Sequence, residues 1–337
     1  MGPPEKCVHP IIEAMSGPNN HDESWEAPQR SALPPLVVMV GPTAVGKTAA
    51  SLALAERIGA EIVNADSRYL YRGFDIGVAK PTAAERRRVP HHLIDVLEPE
   101  GDMSLARYQD LAFAAIEDVR ARGNVPMLVG GTPLYVKAVV ENWEIPRVPP
   151  DPAFRAGLEA VAATEGIEVL EAQLRTVDPI AANRSAGNLR RMIRALEIHA
   201  KSGVPMSTAE GKRDPRYRVR AYRLTLPREE LYARIDARVD AMISAGLVDE
   251  VRGLLASGVP KDAPAMSSIG YRQLLPHLLD GEPLEVGITA IKADTRRYVR
   301  HQETWLRRDG GLEIVDAADP LMPDRLADET VAFLTNG

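Results

Sequence analysis

Gly41-Pro42-Thr43-Ala44-Val45-Gly46-Lys47-Thr48 follows a strand-length apolar run, Leu36-Val37-Val38-Met39-Val40, and precedes Ala49–Arg57, which has a helical composition. Glycines at the first and sixth positions with Lys-Thr at the end match the phosphate-binding loop, in the strand–loop–helix setting that pattern requires. Gly41 and Gly46 let the backbone of Pro42, Thr43, Ala44 and Val45 wrap an anion, with amides and a helix N-terminus facing its charge. Lys47 adds a positive charge and Thr48 offers a hydroxyl to Mg²⁺. A ligand carrying at least two phosphates is expected here.

Outward from the loop, strands and helices alternate. Candidate strands are Leu36–Val40, Glu61–Ala65, His92–Val96 and Met127–Val129, with helices near Thr48–Ile58, Leu105–Ala121 and Pro133–Val140. Ser104 is an expected N-cap, and Thr132 with Pro133 an expected N-cap and first-turn pair. The alternation predicts an α/β fold, a P-loop parallel sheet with helices on both faces. The proline-rich stretch Ile145–Pro152 interrupts it, and residues 151–214 read as an inserted all-helical domain. Val219–Leu226 reads as a last strand of the first sheet. The catalytic core is thus expected to be discontinuous, 35–150 and 215–320, with helices from Arg228 onward, the longest about Leu284–Arg308, and a C-terminal segment 321–337. Residues 1–34, rich in proline and without apolar periodicity, are expected to form a disordered tail.

The 337 residues are 45% hydrophobic and 26% charged, enough for a real core. No apolar run approaches the ~18 residues that span a membrane. The lone cysteine, Cys7, excludes disulfides and a thiolate zinc site, and points to a reducing cytoplasm. The net charge of −6 is segregated: Arg184–Arg223 holds eleven Lys/Arg against three Asp/Glu, and Lys292–Arg308 six against two. Two basic segments allow a phosphate-binding face on an acidic protein, and equally suit solvated helix surfaces.

Asp66 ends the second strand at the rim where ligands of parallel sheets bind. It can accept a proton, hold Mg²⁺ or cap the following turn. Gly130-Gly131-Thr132 ends another strand at the same rim, the glycines permitting close backbone approach and Thr132 bringing a hydroxyl. No strand ends in the acid-rich pattern of hydrolytic motors, Asp95 being the nearest candidate, which favours a transferase. The adjacent His91 and His92 point to opposite faces and read as structural.

Several stretches resemble the tRNA dimethylallyltransferase family of bacterial type: Gly41–Thr48; Asp66-Ser67 with Tyr71–Pro81; Pro90–Asp95; Gly130–Tyr135; Asn188–Glu197; Ile269–Arg272; and Gln302–Arg307. They follow family order over nearly all of 36–308. The resemblance implies transfer of a dimethylallyl group from dimethylallyl diphosphate to N6 of adenosine 37, beside the tRNA anticodon. It implies Asp66 as the base, Thr132 and Arg238 as further catalytic groups, and the loop, Lys47, Thr43 and Thr48-bound Mg²⁺ as the cradle for diphosphate. It implies contacts to the anticodon stem-loop from Asp66, Ser67, Arg68, Tyr69, Thr132, Arg155, Arg190, Arg191 and Arg194, and from the turn Ser267, Ser268, Ile269, Gly270, Tyr271 and Arg272. A cytoplasmic protein acting as a monomer is expected. The chain departs from the family at Arg68-Tyr69, where Met-Gln is usual, at Val78 for Thr, and at His301 for a basic residue; Tyr69 could stack on a base where the glutamine makes contact. Rival readings are an adenylate isopentenyltransferase acting on a free nucleotide, a P-loop small-molecule kinase, and a P-loop switch or RNA-binding module.

Overall fold

The computed structural model describes residues 33–307 and 311–336. Its strands are β1 (Pro35–Val40), β2 (Ala60–Asn64), β3 (His91–His92), β4 (Val125–Gly130), β5 (Trp143–Glu144), β6 (Gly211–Lys212), β7 (Arg218–Thr225) and β8 (Glu313–Asp316). Six of them make one parallel sheet in the order β3-β2-β4-β1-β7-β8. β1 shows why its run is apolar throughout. Leu36, Val38 and Val40 pack into one hydrophobic cluster while Val37 and Met39 pack into the other, so both faces of the strand are covered.

Helices α1 (Lys47–Ile58), α2 (Ala83–Arg88), α3 (Leu105–Ala121) and α4 (Pro133–Val140) join the first strands. Ser104 caps α3 by accepting from the Arg107 amide at 3.2 Å. The second part of the chain contributes α5 (Pro152–Glu165), α6 (Ile167–Val177), α7 (Pro179–Arg184), α8 (Leu189–Ser202) and α9 (Met206–Ala209), then α10 (Arg228–Ser244), α11 (Leu247–Ala256), α12 (Leu275–Asp280), α13 (Leu284–Leu306) and α14 (Met322–Thr335).

The chain divides into two compact units, one of them Glu141–Asp214 and the other running to Val140 and resuming at Pro215. The smaller begins before the expected residue 151 because β5 and β6 pair antiparallel, Trp143 with Lys212 and Glu144 with Gly211. Its own core is Leu170, Leu174, Ala181, Ala182, Met192, Ile193, Ala195 and Leu196.

Two expectations need correction. The strand expected over His92–Val96 pairs only at His91 and His92, because Leu93 and Asp95 take positive φ of 61° and 58°. The Asp95 carboxylate is thereby turned onto Lys80 Nζ at 2.6 Å and Arg86 Nη1 at 2.8 Å, and the ladder stops. Secondly, Glu313–Asp316, placed by sequence in a helical region, is a strand parallel to β7, which is therefore interior rather than last. Only Val315 of its four residues is buried, too short a signal for a periodicity argument. α14 packs on the sheet with it: Arg220 pairs with Glu313 and Glu329, and Met322, Leu326 and Ala327 join the cluster of Val315 and Leu52. The tail expected over 1–34 falls, up to residue 32, outside the described residues.

Candidate active site

The loop after β1 holds its shape through two left-handed residues, Ala44 with φ 66° and Gly46 with φ 103°, after which Lys47 opens α1. Gly41 lies so close to β7 that an added Cβ would stand 3.0 Å from the Leu224 carbonyl oxygen. Val45 is buried beneath the loop among the apolar residues of α1 and β7. Lys47 Nζ folds back over it, donating to the carbonyls of Gly41 at 3.0 Å and Pro42 at 2.8 Å. Burial lowers the ammonium pKa to about 8, with Asp66 pulling it up and Arg238 pushing it down. An anion arriving beside this desolvated ammonium would stabilise its charged form.

The tips of β2 and β4 are locked to one another. Gly130 approaches so closely that a Cβ there would meet the Ala65 carbonyl carbon at 2.1 Å. Asn64 accepts from the Asp66 amide at 2.8 Å and donates to the carbonyls of Asp66 and Leu93. Asp66 Oδ1 accepts from the Arg68 amide at 2.9 Å, so the carboxylate caps its turn. It also acts electrostatically on Lys47, Arg68, Tyr69 and Tyr298, which stand around it. Turn cap and reactive carboxylate are thus compatible in one side chain.

Thr132 differs from expectation. Its hydroxyl accepts from the Ser67 amide at 3.0 Å rather than capping α4, and with the residue 1% exposed the group ties the two strand tips together. Ser67 is likewise buried.

The segment Asp75–Lys80 forms one wall. Glu250 of α11 accepts from the amides of Asp75, Ile76 and Gly77 and from the Tyr271 hydroxyl. The next two carbonyls face the site: Val78 O accepts from Arg238 Nη2 at 3.1 Å and Ala79 O from the Tyr69 hydroxyl at 2.9 Å. Burial pushes the Tyr69 phenol up to about 12. Tyr69, in the place of the family glutamine, thus points its hydroxyl into this wall. Arg68 reaches the Pro264 carbonyl at 3.4 Å. Arg238, Lys47, Asp66, Tyr69 and Thr48 therefore converge.

The turn Ser267–Arg272 divides in two. Ser268 and Tyr271, expected to touch RNA, are 1% and 0% exposed, and the correction follows from burial: they hold the turn from within. A Cβ on Gly77 would meet the Tyr271 ring at 2.4 Å, which shows how tightly that ring is seated. Gly270 adopts φ 104°, its amide donating to Gln273, while Ile269 and Ser267 are half-buried and Arg272 pairs with Asp294 at 2.8 Å. Within the smaller unit, Arg155 and Arg194 both grip the fully buried Glu197, at 2.8 and 2.5 Å. Arg190 is exposed, and Arg191, half-buried, reaches the Arg184 carbonyl at 3.4 Å.

Sequence reasoning assigned no role to Gln302, Glu250, Glu197 or Tyr298. Glu197 and Gln302 lie inside stretches that resemble the family, whereas Glu250 and Tyr298 sit on helices where contacts to distant segments leave no local trace. The fold places the loop after β1 and the ends of β2 and β4 at one rim, as parallel sheets do with ligand sites.

The IPP transferase family model matches residues 69–309. A tRNA dimethylallyltransferase of Thermomicrobium roseum is 54% identical over 287 residues, covering 85% of this chain and 87% of its own. That of Roseiflexus castenholzii is 54% identical over 275 residues, covering 81% and 90%. Among solved structures, the tRNA isopentenylpyrophosphate transferase of Bacillus halodurans matches at 39% identity with TM-score 0.65, over 89% of this chain and 95% of that one. A eukaryotic dimethylallyltransferase acting on tRNA matches at 27% identity with TM-score 0.74, over 90% and 79%. A family match over most of the chain, and relatives this similar along nearly their whole length, establish that the chain belongs to the IPP transferase family, that of the tRNA dimethylallyltransferases.

Proposed function

We propose that the protein transfers a dimethylallyl group from dimethylallyl diphosphate to N6 of adenosine 37, beside the tRNA anticodon. The observation that carries this is the convergence of Lys47, Asp66 and Arg238 at the rim of the sheet, a diphosphate cradle with a carboxylate beside it. The N6–C1 bond forms as the C1–O bond breaks. The electron pair leaves with diphosphate and the amine proton passes to Asp66. An aryl amine is a weak nucleophile, so a base acting as the bond forms contributes ~10²–10⁴-fold. The loop amides, Lys47 and Arg238 meet the charge that gathers on the leaving group, commonly the largest catalytic term.

The oxygen donors at the loop suit a hard cation. Thr48, at the first turn of α1, would hold Mg²⁺ together with diphosphate oxygens and water. Bound there, the ion would neutralise part of the leaving group's charge.

The anticodon stem-loop would meet Arg190 and Arg191 in the smaller unit and, in the larger, the half-buried Ser267, Ile269 and Arg272. Arg155 and Arg194 act through Glu197, holding the surface in shape. The adenine must leave its stack, at a cost of a few kcal/mol that is least in a loop. A monomer working in the cytoplasm meets these needs.

Incubation with labelled dimethylallyl diphosphate and either tRNA or AMP tests the reading. Label in tRNA at the adenosine next to the anticodon is expected; label in AMP alone, or phosphoryl transfer from ATP, would refute it.

A further inference from the structure

Gln302 sits near the end of α13, 1% exposed, with both ends of its carboxamide in use. Oε1 accepts from the Thr43 amide at 3.0 Å and Nε2 donates to the Gly131 carbonyl at 2.7 Å. A single planar group, with donor and acceptor fixed relative to one another, therefore spans from the phosphate loop to the turn after β4. The Thr43 amide is thus tied to this side chain. From Gly131 the connection continues through Thr132, whose hydroxyl takes the amide of Ser67, next in sequence to Asp66.

The surroundings leave the carboxamide little latitude. A Cβ on Gly131 would stand 2.8 Å from Nε2 and 3.5 Å from Lys47 Nζ. Tyr298, one turn back on α13, lies beside Gln302. These contacts explain why the second glycine of Gly130-Gly131 is required: the first admits Ala65, the second admits Gln302.

The reaction proposed above needs amine, C1 and leaving oxygen nearly in line, yet the leaving group and the base are carried by different backbone segments. Misplacement by ~1 Å can cost on the order of 10²-fold in rate. We infer that Gln302 is a positioning residue for the transfer, its carboxamide fixing the loop that holds diphosphate against the turn that steadies the base. The inference rests on the proposed prenyl transfer for its kinetic consequence, while the clamp itself is a feature of the fold.

Two variants approach the clamp from opposite sides. Gln302→Met keeps length and apolar bulk but removes both hydrogen bonds, and Gly131→Ala displaces the intact carboxamide. Each should lower kcat about tenfold to a hundredfold, with KM for tRNA and affinity for Mg²⁺-pyrophosphate within about threefold of native, because the loss lies in alignment. The double variant should be no worse than the poorer single, since both break one connection. Amide exchange across Gly41–Thr48 should quicken by about tenfold in Gln302→Met. A native-like kcat in Gln302→Met, or fully additive losses, would overturn the inference. So would a fall in kcat matched by an equal fall in pyrophosphate affinity. Should the native protein transfer no prenyl group to tRNA, the proposed function falls, and loop exchange alone decides the clamp: faster exchange supports it and unchanged exchange overturns it.

Discussion

Asp66 carries two duties that a substitution can separate. Its Oδ1 caps the turn by accepting from Arg68. Asp66→Asn keeps an oxygen for that cap while removing the proton acceptor, so turnover should fall by ~10²-fold or more with tRNA affinity unchanged. Retained turnover in a single-turnover assay would take the base role from Asp66. Lys47 gives a prediction with a definite sign. With its pKa lowered to about 8, the ammonium is present at neutral pH and is lost as pH rises through that value. The affinity of native protein for Mg²⁺-pyrophosphate, relative to Lys47→Arg, should therefore decline between about pH 7.5 and 9.5. A constant ratio in calorimetric titrations would separate Lys47 from the anion. Neither shift nor cap is visible in the motif itself. The loop pattern announces which residues meet phosphate, whereas the distance from Lys47 to Asp66 depends on β1 and β2 lying on either side of β4.

At the scale of elements, two acids, Glu250 half-buried and Glu197 fully buried, organise what the side chains around them touch. Glu250 gathers the amides of Asp75, Ile76 and Gly77, and so presents the carbonyls that Arg238 and Tyr69 engage. Glu250→Ala should cost about 1–3 kcal/mol in denaturant unfolding and raise KM for dimethylallyl diphosphate more than KM for tRNA. The reverse order would detach this wall from the donor site. Glu197 plays the same part in the smaller unit. Burial works to raise its pKa, but Arg155, the Asp151 amide and Arg194 prevail and hold it below the ordinary 4.5. Its contribution is therefore complete at neutral pH and is lost as pH falls below that value through the folded pKa. Glu197→Ala should destabilise the unit by about 3 kcal/mol, by leaving two guanidinium groups facing an empty site. Circular dichroism melts would record this, and an unchanged melting temperature would mean that the arginines are held by other contacts.

For the whole molecule, the arithmetic of charge overstated the basic face. Much of the Arg184–Arg223 excess is spent internally: Arg194 on Glu197, Lys201 on Asp151, Arg213 on Glu144, and Arg220 on Glu313 and Glu329. In the Lys292–Arg308 segment, Lys292 pairs with Asp240 and Arg296 with Asp236. tRNA affinity should still fall with salt, by a slope of roughly 0.7–0.9 per phosphate contact, and the slope should correspond to a few contacts rather than to the count of basic residues. A flat salt response would instead favour a free nucleotide as acceptor. The sequence alone determined the class of fold, the phosphate loop and the family, because these rest on local patterns: apolar runs, glycine spacing and short motifs read in order. It could not supply β8, whose four residues become a strand only through pairing with β7, nor the early end of β3 at two left-handed residues. Tertiary structure alone decided that Ser268 and Tyr271 face inward, that Thr132 binds Ser67, and that Gln302 spans Thr43 and Gly131. Each of these joins segments far apart in the chain, and a contact between distant residues leaves no periodicity for a sequence to display.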